Sequence, residues 1–244
     1  MMNVKAISLD IGKALQVNAL FMLLSLGVSA AYGFDAGFTP LLISFLITSL
    51  AGSFPLIFVK GAQQETTQEG FITIVFSWLL SFIFGMLPYV LWGGEFTLMN
   101  AWFESVSGYT TTGSTILTDI EALPKSILMW RSSTHYIGGL GVIIFLLMVL
   151  PDTSPFKLRL SHLELSSLAK EGYRYKSGKT VRVITLVYIG LTIAEFLCLW
   201  LAGMGPFDVI NHSFSTIATG GFSTRNASIM HYDSNAINII IMVF

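Results

Sequence analysis

Charged residues are absent from long intervals of this chain, and the intervals have the length of membrane spans. Residues 14–34, 36–59 and 70–94 carry no charge at all, and each meets the roughly 20 apolar residues that cross a bilayer as helix. Residues 132–151 make a fourth interval, holding only His135, and residues 183–207 a fifth with one acid, Glu195. A sixth begins near Ser234 and runs to Phe244. At about 1.5 Å per residue it reaches about half of a ~30 Å hydrocarbon core, so this span is expected to be incomplete as given. The first interval also has the outline of a secretory leader, with Lys5 and Lys13 before it and Val28-Ser29-Ala30 as a cleavage site. Its length exceeds the roughly 7–15 apolar residues of a leader, and Asp10 interrupts the leading positive charges, so a membrane span is the favoured reading.

Two further segments are too short to span and too apolar for loops. Residues 95–130 far exceed an ordinary connection. Within them residues 96–109 hold enough apolar side chains for three to four helical turns and lead directly into Thr110-Thr111-Thr112-Gly113-Ser114-Thr115. After the fifth interval, residues 208–215 are followed by Thr216-Ile217-Ala218-Thr219-Gly220-Gly221-Phe222-Ser223-Thr224. Apolar segments of about 10–14 residues mark re-entrant or core helices. Laying Gly113 on Gly220 gives an offset of 107 residues, which pairs Thr112 with Thr219 and Phe103 with Ile210. The repeated unit is thus a span, a short re-entrant helix, a Thr/Gly-rich return and a second span, a pattern typical of transport proteins. Non-helical backbone at membrane depth is tolerated only where it is buried in protein or lines a water-filled path. Glycine permits the positive φ that turns successive carbonyls toward one axis, and rings of carbonyls replace the water shell of a permeating cation. A helix entering from outside aims its negative C-terminal dipole at such a cation, while Glu95 and Asp208 lie near the two positive ends.

Composition narrows the class. Of 244 residues, 53% are hydrophobic and 11% charged, against about 25% charged in soluble domains. The net charge of -1 argues against a nucleic-acid binder relying on positive charge. The single Cys198 excludes an intrachain disulfide framework. His135, His162, His212 and His231 show no metal-ligand spacing, and no nucleophile and base stand together, so neither an enzyme nor a cofactor is expected. With the N-terminus inside, ten of the 13 Lys and Arg residues fall on the inner side, and only Lys125, Arg131 and Arg225 on the outer, as the positive-inside rule requires. Asp35, Glu95, Glu104, Asp119, Glu121, Asp208 and Asp233 lie outside or in segments entering from outside. That acidic balance either concentrates cations or merely solvates the loops. Glu195, an acid in mid-span, reads equally as a functional group or as a structural, protonated one. Gly178-Lys179-Thr180 lacks the spacing of a phosphate-binding loop, and Gly138-Gly139-Leu140-Gly141 reads as a close helix contact.

The stretch from Phe103 through Thr115 resembles the first selectivity-filter region of the Trk-type potassium uptake proteins, the TrkH and TrkG branch of the Trk/Ktr/HKT superfamily. His212 through Thr224, continuing to Asp233-Ser234, is similar to the second. The resemblance covers residues 70–244 and implies an all-α integral membrane protein with potassium-channel-like repeats. Two of an expected four are present, preceded by two extra transmembrane helices, so the chain is expected to be an N-terminal half, the alternative being that two such chains assemble. Residues 1–62 then form the leading domain, 63–155 the first pore repeat, 156–182 a basic cytoplasmic loop and 183–244 a second, truncated repeat. The resemblance further implies ion-binding carbonyls at Thr110, Thr111, Thr112, Gly113, Ile217, Ala218, Thr219 and Gly220. Glu104, Ser114 and Gly221 would support the filter, and Glu104 is expected to brace it by hydrogen bonds. Glycine at 113 favours potassium over sodium. The family also implies the bacterial cytoplasmic membrane, homodimers of the full-length chain and a nucleotide-binding regulatory subunit, for which the basic loop is a candidate docking surface, although positive-inside topology is the favoured account of that loop. An alternating-access cotransporter coupled to H+ or Na+, and a non-conducting fragment, are the competing readings.

Overall fold

The structure is a computed structural model that describes residues 3–60, 67–149 and 167–244. Every regular element among the described residues is helical. Helix α1 (Val4–Ala31) starts on the Asn3 side chain, which accepts a hydrogen bond from the Ala6 amide, and includes the charged stretch before the first interval, with Lys13 paired to Asp10. Gly33 and Phe34 at positive φ turn the chain into α2 (Phe38–Phe58). The two helices touch at glycines, because a Cβ on Gly12 would meet the Gly52 carbonyl. Gln16 adds a polar bridge to Ser49 and Ser53 across the same contact.

The third interval is not one helix. It divides at Met86 into α3 (Thr67–Gly85) and α4 (Leu87–Trp92), with Pro88 in the first turn of the second piece, where a missing N–H costs nothing. The short helix α5 (Leu98–Tyr109) follows, then α6 (Lys125–Val149). Helix α7 (Ser167–Leu201) runs without interruption from the segment read as a basic loop. Residues 156–166 of that segment lie outside the described residues, and Gly178-Lys179-Thr180 stands in a helix rather than a loop. Gly203 at φ 93 turns the chain into the short helix α8 (Pro206–Ile217). A 3-10 turn, Ser228–Tyr232, leads to α9 (Asn235–Val243), capped by Ser234. Four helical stretches among the described residues are long and apolar enough to cross a membrane: Val4–Ala31, Phe38–Phe58, Gln68–Trp92 and Val181–Leu201. The chain is a multi-pass membrane protein.

The repeat is in the structure, but its register is 108 rather than 107. Leu98–Tyr109 matches Pro206–Ile217, and the left-handed residues Thr111 and Thr219 both have φ 54. The amide of Thr112 donates to the Ser107 carbonyl as that of Gly220 does to Ser215. Backbone shape therefore pairs Gly113 with Gly221. Matching Thr112 to Thr219 by residue type displaced the alignment by one.

The leading hairpin is packed against the first unit through Met22, Leu26, Leu41, Tyr89 and Trp130. A smaller cluster of Leu199, Met204, Val209 and Ile237 holds the second unit. At the end of the molecule that carries the α1–α2 turn, Asp35 accepts hydrogen bonds from the Ser126 hydroxyl (2.6 Å) and amide (3.0 Å), from Ser29 (2.7 Å) and from the Gly37 amide (3.2 Å). The carboxylate thereby also meets the positive end of α6. Burial pushes this carboxyl up, but the Ser126, Ser29 and Gly37 bonds outweigh it and hold Asp35 below its ordinary value of 3.8. A depressed folded value means a contribution that is complete above the unfolded value and lost as pH falls through the folded one. Asp35→Asn is expected to lower stability by about 2 kcal/mol at neutral pH. The difference from wild type should shrink below about pH 4, as thermal unfolding at pH 7 and pH 3 would record.

Candidate functional site

The two returns leave their helices alike. Thr110 caps α5 and its hydroxyl donates to the Val106 carbonyl (2.7 Å), while Ala218 takes the same place after α8. Each chain then passes through its left-handed threonine, Thr111 or Thr219, and reaches a glycine at positive φ, Gly113 (75) or Gly221 (114). The two returns meet backbone to backbone, since a Cβ on Gly113 would run into the Gly220 carbonyl. The three glycines therefore have different reasons to be glycine. Gly113 and Gly221 hold positive φ at the contact, whereas Gly220 has the His135 ring against its Cα. Ile217, expected among the carbonyl donors, is the last residue of α8. Gly221, expected as a support, holds the place in the second return that Gly113 holds in the first.

Behind the first return lies Glu104, fully buried. One of its oxygens accepts from Thr115 Oγ1 (2.9 Å) and Arg131 Nε (2.8 Å), the other from Thr115 Oγ1 (3.0 Å) and the Ile116 amide (3.2 Å). Both oxygens are occupied in bracing the return. Ser114 is held by its carbonyl, which accepts from Ser107 Oγ at 2.6 Å. Arg131, read from sequence as an outer loop charge, is inside α6, with 1% of its side chain exposed and Nη2 2.8 Å from Glu104 Oε1. An arginine beside a charge-free interval, four residues before its only histidine, was the available signal. Sequence reasoning missed both as parts of one site. His135 lies behind the second return, its Nδ1 3.0 Å from Ser215 Oγ, which accepts the Gly221 amide at 3.0 Å. Gly138 and Gly139 let α6 pass against the Tyr109 carbonyl and against Ala218, the close contact expected of them.

Outside the returns, the two units are laced together. Asn226 accepts from the Ile120 amide (2.7 Å), donates to Asp119 (2.8 Å) and, through its own amide, to Glu121 (3.2 Å). Arg225 joins Glu121 (3.4 Å) to Asp208 (3.0 Å), and Asp208 also accepts from Thr224 (2.7 Å). The Asn226 amide holds Asp119 below its ordinary value. Asp208 stands in the first turn of α8, as expected. Glu95 does not cap α5, which starts on Thr97; it holds the Thr118 amide and hydroxyl instead. Lys125 sits over the rings of Tyr32 (3.7 Å) and Phe207 (5.5 Å), touching the leading hairpin and both units. Glu195 is buried on α7 beside Thr216. Among the described residues no group of three His, Cys, Asp or Glu could hold a metal ion.

Known proteins resemble this chain in sequence and in fold. The family model for TrkH, cation transport protein, matches residues 40–244. The Trk system potassium uptake protein TrkH of Escherichia coli K12 is 40% identical over 187 residues, covering 76% of this chain and 39% of the relative. TrkH of Vibrio parahaemolyticus serotype O3:K6 is 34% identical over 246 residues, covering 100% of this chain and 50% of the relative. TrkG of Escherichia coli K12 is 37% identical, with 74% and 38% covered. The crystal structure of the potassium transporter TrkH from Vibrio parahaemolyticus superposes with a TM-score of 0.83 at 33% identity, over 99% of this chain and 49% of that one. The chain thus spans half or less of the length of these relatives. By sequence and by fold, it belongs to the TrkH family of cation transport proteins.

Proposed function

We propose that the protein takes up potassium ions through a carbonyl-lined filter in the bacterial cytoplasmic membrane, with residues 110–113 and 218–221 contributing two of its strands. The observation that carries this reading is the meeting of two non-helical returns, in matching conformation, at Gly113 and Gly220. Non-helical backbone carbonyls inside a membrane protein suit a desolvated monovalent cation. The C-terminal ends of α5 and α8, both at the returns, add negative potential at the same place. Relatives named as potassium uptake proteins support the choice of ion.

In this reading residues 1–62 are a leading domain, and 63–155 and 183–244 are two pore repeats. The N-terminus faces the cytoplasm, and the transporting species is a homodimer of full-length chains gated by a nucleotide-binding subunit. Permeation is channel-like and driven by the membrane potential, which supplies about 2.3 kcal/mol per charge per 100 mV. The full-length protein, expressed in a strain without its own potassium uptake systems, is expected to restore growth at low external potassium. In liposomes its flux should exceed carrier turnover. No restoration by protein present in the membrane would sink the reading, and a proton taken up with each potassium would favour cotransport.

A further inference from the structure

The two returns are joined through one aromatic ring. Phe222, directly after Gly221, packs against two side chains of α6: the Arg131 guanidinium carbon is 4.1 Å from the ring centroid, and the His135 ring is stacked at 4.1 Å and 13°. Arg131 and His135 are four residues apart, so both project from one face of the helix. Arg131 reaches in both directions. Toward the first return it binds Glu104 and Thr115 Oγ1 (3.3 Å), and toward the second it donates to the Ser223 carbonyl (3.4 Å). His135 completes the link through Ser215, which holds the Gly221 amide. The second repeat has no equivalent pair: the seventh residue of α6 is Arg131 and that of α9 is Ile241, and the register of 108 over the short helices places His212 where Glu104 stands.

We infer that Arg131 and His135, clamping Phe222, are positioning residues that set the distance between the two returns and with it the preference among monovalent cations. This rests on the filter reading above. A carbonyl cage discriminates between ions only if its oxygens keep their separation, and these returns meet by backbone contact at Gly113 and Gly220. A planar guanidinium serves here because it stacks on the ring while its edge pairs with a carboxylate, which an ammonium does not do. No ion contact is required of either side chain.

The test is a double-substitution cycle in the full-length protein, read as the ratio of potassium to sodium uptake per molecule in the membrane. Thr115→Val acts on the first return and Phe222→Leu on the second. Phe222→Leu is expected to reduce the ratio about tenfold with maximal cation flux retained, and Phe222→Tyr, which keeps the ring, to restore it. Because Arg131 couples the two sites, the combined variant should lose less than the product of the single losses. A wild-type ratio in Phe222→Leu, or independent effects in the cycle, overturns the inference. If substitutions at Gly113 and Gly221 alter selectivity while this cycle does not, the clamp is rejected and the filter stands; if neither does, the filter itself is rejected.

Discussion

Gly113→Ser and Gly221→Ser are each expected to lower the preference for potassium over sodium by tenfold or more, whereas Gly220→Ala should in addition lower the amount of folded protein, because its side chain displaces the His135 ring. Gly113 and Gly221 sit at φ 75 and 114, where an L side chain strains the backbone by about 1–2 kcal/mol. At Gly113 the added atom also enters the other return. Relief of either strain moves carbonyls, and carbonyl placement is what distinguishes ions of one charge. Gly220 has ordinary backbone, and the nearest atoms its Cβ would meet belong to the His135 ring. The Gly220→Ala defect should therefore be eased by His135→Ser, while no substitution at His135 should rescue Gly113→Ser. Separate rubidium and sodium uptake, with immunoblots for membrane content, would record both patterns. Unchanged selectivity in the Gly113 and Gly221 variants would remove them from the filter.

The second large effect concerns the pair behind the first return. Glu104 and Arg131 are 0% and 1% exposed at 2.8 Å, and removing one partner of such a pair leaves the other charge buried without compensation, at about 3–5 kcal/mol. Glu104→Gln and Arg131→Met are each expected to lower the thermal midpoint of the purified full-length protein sharply. The double variant should be less destabilised than the two losses added together, because no charge is then stranded. Single variants with a wild-type midpoint would show that the pair contributes nothing to stability.

The spans and the short re-entrant helices were legible because the physics that makes them is compositional: charges leave the bilayer interior, and twelve residues cannot cross it. The break at Met86 was less visible, although Pro88 marked it, because proline in a first turn leaves an apolar run intact. The register of the repeat was hidden for a different reason. Left-handed backbone usually announces itself as glycine, but here Thr111 and Thr219 adopt it. Offsets of 107 and 108 both set a threonine against Thr219 and a glycine against Gly113, so residue type alone did not choose between them. Arg131 was misplaced because its partners are remote in sequence. Glu104 precedes it by 27 residues, and the Ser223 carbonyl lies 92 residues further on.

Asn18 carries a consequence for the making of the protein. Its buried amide, in the middle of α1, donates to Ser81 (2.8 Å) and accepts from Tyr109 (3.1 Å), the last residue of α5. Those partners are 63 and 91 residues away, so at a synthesis rate of about 5–20 residues per second Tyr109 leaves the ribosome roughly 5–20 s after Asn18. Until first Ser81 and then Tyr109 arrive, this amide lacks its partners, which is costly inside a bilayer. The leading hairpin therefore completes its buried hydrogen bonding only once the first short helix has folded back against it.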